Sequence, residues 1–86
     1  MIFAIYVPPD EEELLQTNLV ASYPDKHLQA ASGLWFVALP LGTAKDVSDK
    51  IGLTEGKIKS GLVTSIGGYY GRLSPYVWEW LVKNWQ

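Results

Sequence analysis

The sequence predicts an α+β fold: a four-stranded antiparallel sheet in βαββαβ order, followed by an additional C-terminal helix. Three observations carry this. Short apolar, β-branched runs alternate with segments of helical spacing. Prolines and glycines punctuate the boundaries. Two of the predicted strands, "IFAIYV" and "LWFVAL", are almost wholly apolar, as the central strands of a sheet should be.

Ile2 to Val7 contains no polar break and reads as a strand buried on both faces or nearly so. Pro8 and Pro9 end it. "PDEEELLQTNLVASY" follows as a helix. Asp10 is placed to cap it, with Glu13 completing a capping box, and Glu11, Glu12 and Glu13 suit the positive end of the helix dipole. Leu15, Leu19 and Tyr23 define its inward face, with Leu14 and Ala21 beside it. Pro24 stops the helix. "KHLQAASGLWFVAL" reads as a hairpin, with Lys26 to Ala31 as a polar edge arm, Ser32–Gly33 as the turn and Leu34 to Leu39 as a central arm.

In "GTAKDVSDKIGL" the helix starts at Thr43, with Asp46 as the capping-box acid. Ala44, Val47 and Ile51 share a face, and Gly52 is placed as a left-handed cap. "TEGKIK" is a turn-rich connection. "SGLVTSIGG" is the fourth strand, with Leu62, Thr64 and Ile66 on one side and Val63 and Ser65 on the other. Ser74 then caps a helix with Pro75 at its first position. Val77, Trp78, Leu81 and Trp85 form its apolar stripe. The order is the split βαβ, ferredoxin-like pattern, with the first and third strands central and the second and fourth at the edges. Residues 1–86 form one such domain, 71–86 being its helical extension.

With 86 residues, a single domain buries only about 60–65% of its unfolded surface. Its content of 48% hydrophobic and 13% aromatic residues argues against intrinsic disorder. Seven basic and nine acidic residues give a net charge of −2, so no strong field exists to capture nucleic acid through its phosphates. Lys57 and Lys59 read as solvated loop lysines. The chain has no cysteine, which removes disulfides, thiolate catalysis and cysteine-held zinc. It shows no signal-peptide pattern and no membrane-length apolar run. We therefore expect a soluble, cytoplasmic protein with no cofactor and no membrane partner.

The candidate sites are few. Asp10 is the one weak catalytic candidate, since a carboxylate could hold Mg²⁺ for phosphodiester chemistry; the cluster Asp10 to Glu13 reads first as a helix start. His27 is the only histidine and reads as a surface residue at the start of an edge strand. Tyr69, Tyr70 and Arg72 lie in "GGYYGR" between the fourth strand and the last helix. Arg72 could meet an anion, or clamp the loop through an ion pair or a carbonyl. Tyr76 and Trp80, one turn apart, form a candidate exposed aromatic patch away from the apolar stripe, with Trp78 packed inward and Trp80 outward. The first strand ends near Asp10 and the fourth near Tyr69 to Arg72, at opposite ends of an antiparallel sheet. The two should not share one site.

Through "MIFAIYV", "GLWFVAL", "TAKDVSDKIG" and "LVTSIGGYYG", roughly the first 70 residues resemble the small proteins grouped with the CRISPR-associated adaptation endoribonucleases and their SinR-like relatives. The resemblance implies a homodimer and, in the nuclease members, a metal-holding aspartate at the end of the first strand. Here "IYVPPDE" places Val7 and Pro8 where that acid would stand, and Asp10 comes two or three residues late. A C-terminal helix also replaces the short pairing strand of those nucleases. The first expectation is a non-enzymatic, homodimeric domain that binds a partner protein, with nucleic acid possible but unsupported by charge, through its C-terminal aromatic region. The alternatives are a metal-dependent endonuclease with a displaced acid and a small-ligand sensor.

Overall fold

A computed structural model describes residues 1–85. Four strands, β1 (Ile2–Tyr6), β2 (His27–Ala31), β3 (Leu34–Ala38) and β4 (Leu62–Ile66), form one sheet in the order β2-β3-β1-β4, with every neighbouring pair antiparallel. Three helices complete the described chain: α1 (Glu12–Ser22), α2 (Ala44–Ile51) and α3 (Pro75–Asn84). The two most apolar strands, β1 and β3, occupy the centre. Ile2 pairs with both Ala38 and Ile66, and Tyr6 with both Leu34 and Leu62, in an unbroken register through β1.

Strand alternation sends β1 side chains to two different cores. Phe3, Ile5 and Val7, with Trp35 and Val37 of β3, pack on one face beneath Leu15 and Leu19 of α1 and Val47 and Ile51 of α2. Ile2 and Ala4, with Phe36 and Ala38, pack on the other face beneath Val77 and Leu81 of α3. The sheet is thus covered by helices on both sides, which explains why β1 buries four consecutive residues. Ile58, inside the connection that reads as mere turns, is fully buried in the first core. Its N–H donates to the Gly52 carbonyl at 3.0 Å.

The second helix follows its sequence signals. Thr43 and Asp46 form a reciprocal capping box, and Gly52 closes the helix at φ 87°, in the left-handed region glycine favours. The first helix does not. A 3-10 turn, Pro9–Glu11, intervenes, α1 starts at Glu12, and no side chain caps either piece. Asp10 therefore makes no cap and Glu13 no capping box. The acids act elsewhere: Glu11 accepts a hydrogen bond from the Lys59 N–H at 3.0 Å, and Glu12 binds the β2–β3 turn. Leu14 and Ala21 are exposed beside the buried Leu15, Leu19 and Tyr23.

Candidate functional site

Chain geometry makes a cleft on the α3 side of the sheet. Two glycines, Gly67 and Gly68, follow β4, and the segment from Gly67 to Ser74 folds back over the sheet face instead of continuing away from it. The space between this segment, α3 and the sheet is a cleft of about 430 Å³. Ala4, Phe36 and Ile66 form its floor and Leu73 and Leu81 its apolar wall. Tyr6, Tyr69, Tyr70, Trp78 and Arg72 supply its aromatic and polar lining.

Aromatic contacts hold this segment down. The Tyr69 ring stacks on Trp78 with centroids 5.5 Å apart and an interplanar angle of 17°, and meets Trp85 edge-on at 5.1 Å. Offset stacks and edge contacts of this kind add stability beyond burial, about 0.5–1.5 kcal/mol per pair. Tyr69 is thus the anchor that turns the loop over the sheet. Tyr70 is fully exposed at the rim, and Arg72 is exposed as well. Among the described residues Arg72 makes neither an ion pair nor a side-chain hydrogen bond: the only salt bridges are Lys45–Asp49 and Lys57–Glu55. The loop clamp available to Arg72 from the sequence is not formed.

Three of the five binding candidates therefore come together, and the other two do not. Trp80 is not outward. Its ring stacks on Phe36 at 6.3 Å and 15°, and it packs against the second core with Leu28 and Leu34. Tyr76 is half-exposed, but its hydroxyl donates to the Gln29 carbonyl at 2.9 Å. The pair fastens α3 to β2 and β3 and forms no free aromatic patch. Trp78 is only half-buried and Trp85 is exposed, so the inward stripe of α3 is Val77 and Leu81. The reason is register: α3 is held at its β2 side by Tyr76, which turns Trp80 toward the sheet.

The cleft also revises the distance between the two sheet ends. Strand pairing does put Asp10 and the end of β4 at opposite ends, since Tyr6 pairs with Leu62 and Ile2 with Ile66. The folded-back loop cancels that separation by carrying Arg72 into a cleft shared with Tyr6 and Leu34. What keeps Asp10 apart is the sheet itself. It leads into α1, whose buried Leu15 and Leu19 lie on the other face. Among the described residues no group of three or more His, Cys, Asp or Glu side chains gathers around Asp10 or elsewhere.

His27 is not a free surface group. Its Nδ1 lies 2.8 Å from the Tyr23 carbonyl and its ring stacks at 6.5 Å on Trp35. Nearby is an arrangement that spacing in the sequence does not announce. One oxygen of Glu12 accepts from the backbone N–H of Gly33, from Trp35 Nε1 at 2.9 Å and from Gln29 Nε2 at 3.1 Å. The Gly33 N–H, then the Trp35 donor, hold the Glu12 carboxyl below the ordinary carboxylate value; partial burial opposes them, and Gln29 adds a smaller lowering. Three donors converge on that one oxygen, so the Glu12 carboxylate ties the start of α1 to the β2–β3 turn and to Trp35.

No family model matches this chain, and neither a curated protein nor a solved structure matches it. Among the described residues, no helix is long and apolar enough to cross a membrane.

Proposed function

We propose that this chain is a ferredoxin-like, non-enzymatic domain that binds a small organic anion with a flat apolar body in the cleft beneath α3. One observation carries the reading: a mostly apolar cleft of about 430 Å³ holds one cationic side chain, Arg72, that has no partner among the described residues. Ligand sites are typically concave and apolar, with a few convergent polar groups that fix orientation. The floor of Ala4, Phe36 and Ile66 would take the apolar body. Tyr70 and Tyr6 present ring faces and hydroxyls at the rim. Arg72 would pair with a carboxylate, as a guanidinium does in a planar, bidentate fashion.

The cleft favours this reading over a protein-binding patch built on Tyr76 and Trp80, because those two side chains are engaged with β2 and β3. The test is a titration of aromatic carboxylates and their neutral amides, followed by tryptophan fluorescence and by calorimetry. Carboxylates should bind and quench, and Arg72→Met should weaken them about tenfold, or ~1.4 kcal/mol, while leaving any amide binding unchanged. A panel in which no carboxylate binds, or in which Arg72→Met binds as well as the wild type, rejects the proposal.

A further inference from the structure

The floor of the cleft is covered in this conformation. Ala4 is 1% exposed and Phe36 6%, although both line the cleft. A flat body lies against them only when one of the two covers, α3 or the segment 67–74, moves aside. The helix is fastened: Val77 and Leu81 are fully buried, Trp80 stacks on Phe36, and the Tyr76 hydroxyl donates to the Gln29 carbonyl. The segment is not. Among the described residues, no backbone or side-chain hydrogen bond holds residues 67–73. Its attachments are the packing of Leu73 at its far end and the contacts of the Tyr69 ring with Trp78 and Trp85. The glycines point the same way. Gly67 and Gly68 have no positive φ, and a Cβ added at either would meet nothing within 4 Å. Neither backbone angle nor packing demands glycine there in this conformation. What a glycine pair supplies at such a place is access to other conformations.

We propose that residues 67–72 are a strap that swings about Gly67 and Gly68 to open and close the cleft, and that the Tyr69 ring is its latch. Opening breaks two ring contacts and no hydrogen bond, while Leu73 stays packed on the second core. The Tyr69 hydroxyl has no hydrogen-bond partner among the described residues, so the ring alone makes the latch. Tyr70 and Arg72 ride on the strap. For the carboxylate ligand proposed above, on which this gating role rests, closing the strap brings the Arg72 guanidinium down onto a body already seated on the floor. The opening itself does not depend on that ligand.

Thiol labelling of the full chain measures the opening with no ligand present. The chain has no cysteine, so Ala4→Cys puts a single thiol on the cleft floor. Val47→Cys puts one in the first core, on the other face of the sheet, as a gauge of unfolding. The Ala4→Cys thiol should react faster than the Val47→Cys thiol. Adding Tyr69→Ala should speed the floor thiol about tenfold, the effect of losing two aromatic contacts, and leave the Val47→Cys rate unchanged. Tyr69→Phe should keep the slow rate. Gly67→Ala combined with Gly68→Ala fits the closed strap and should slow the floor thiol about fivefold by removing hinge freedom. Equal speeding of both thiols by Tyr69→Ala would show general loosening of the fold and overturns the proposal. So does a floor thiol indifferent to Tyr69→Ala, a Tyr69→Phe variant that labels as fast as Tyr69→Ala, or a glycine-pair variant that labels as fast as the wild type. A carboxylate panel that fails to bind rejects the ligand and not the strap, because no ligand enters this measurement.

Discussion

Glu12 shows how one side chain can tie together elements distant in sequence. It is the first residue of α1, yet its carboxylate serves the turn between β2 and β3. Replacing it with Ala leaves the buried Trp35 N–H and the Gly33 N–H without an acceptor, and should cost about 1–3 kcal/mol in urea unfolding. The pH dependence has a definite sign. The folded carboxyl titrates below the unfolded one, so its contribution is complete above the ordinary carboxylate value and is lost as pH falls through the folded value. The wild type should therefore lose stability over that acid range, and Glu12→Gln should flatten the loss; parallel acid limbs for the two proteins would contradict this. Gly33 lies at the same turn with φ 79°, and a Cβ there would stand 2.7 Å from the Val7 carbonyl oxygen. Gly33→Ala should accordingly lower the melting temperature, with both strain and collision acting. The left-handed turn is legible in "SG"; its approach to Val7 is not, because Val7 is 26 residues away in the chain.

At the scale of elements, α3 decides what the second face of the sheet becomes. Its buried residues, Val77 and Leu81, lie over Phe36, Ala38, Ile2 and Ala4. Leu81→Ala should destabilise the chain by about 2–5 kcal/mol, the usual cost of emptying a buried leucine site. If that loss also loosens α3, the uncovered face should bind a hydrophobic dye, and a variant that is destabilised but binds no dye would show α3 still docked. The existence of α3 was legible from Pro75 at its first position and the apolar spacing; Ser74 does precede it, but its side chain makes no cap hydrogen bond. Its rotation was not. Trp78 and Trp80 lie on opposite flanks of the Val77–Leu81 stripe, so a modest turn about the axis decides how far each faces the sheet, and the Tyr76–Gln29 bond sets that turn. The same limit applies to α1: four acids before an apolar run look like a cap, but the backbone adopts a 3-10 turn, and two of the acids bond elsewhere, Glu11 to a loop amide and Glu12 to the β2–β3 turn.

For the whole molecule, two cores share one sheet and no other boundary separates them. Val47 lies in the first and Leu81 in the second, on opposite faces of β1. Substituting each by Ala should give losses that add to within about 0.5 kcal/mol in the double variant, as distant sites without shared partners do. Unfolding should remain one transition by fluorescence and by far-UV dichroism, because β1 belongs to both cores. Two separated transitions would show that the faces melt independently.

The amino-acid sequence by itself determined the elements and the strands that lie inside. Apolar runs without polar breaks need cover on both faces, and "IFAIYV" and "LWFVAL" could find it only at the centre of a sheet. Capping residues and glycines likewise placed α2 almost to the residue, since those signals act within one turn. Only the tertiary structure decided where the 67–74 segment goes and what Arg72 faces. Two flexible glycines leave that path open locally. It is closed by the stacking of Tyr69 between Trp78 and Trp85, a contact between parts of the chain whose meeting no local pattern encodes.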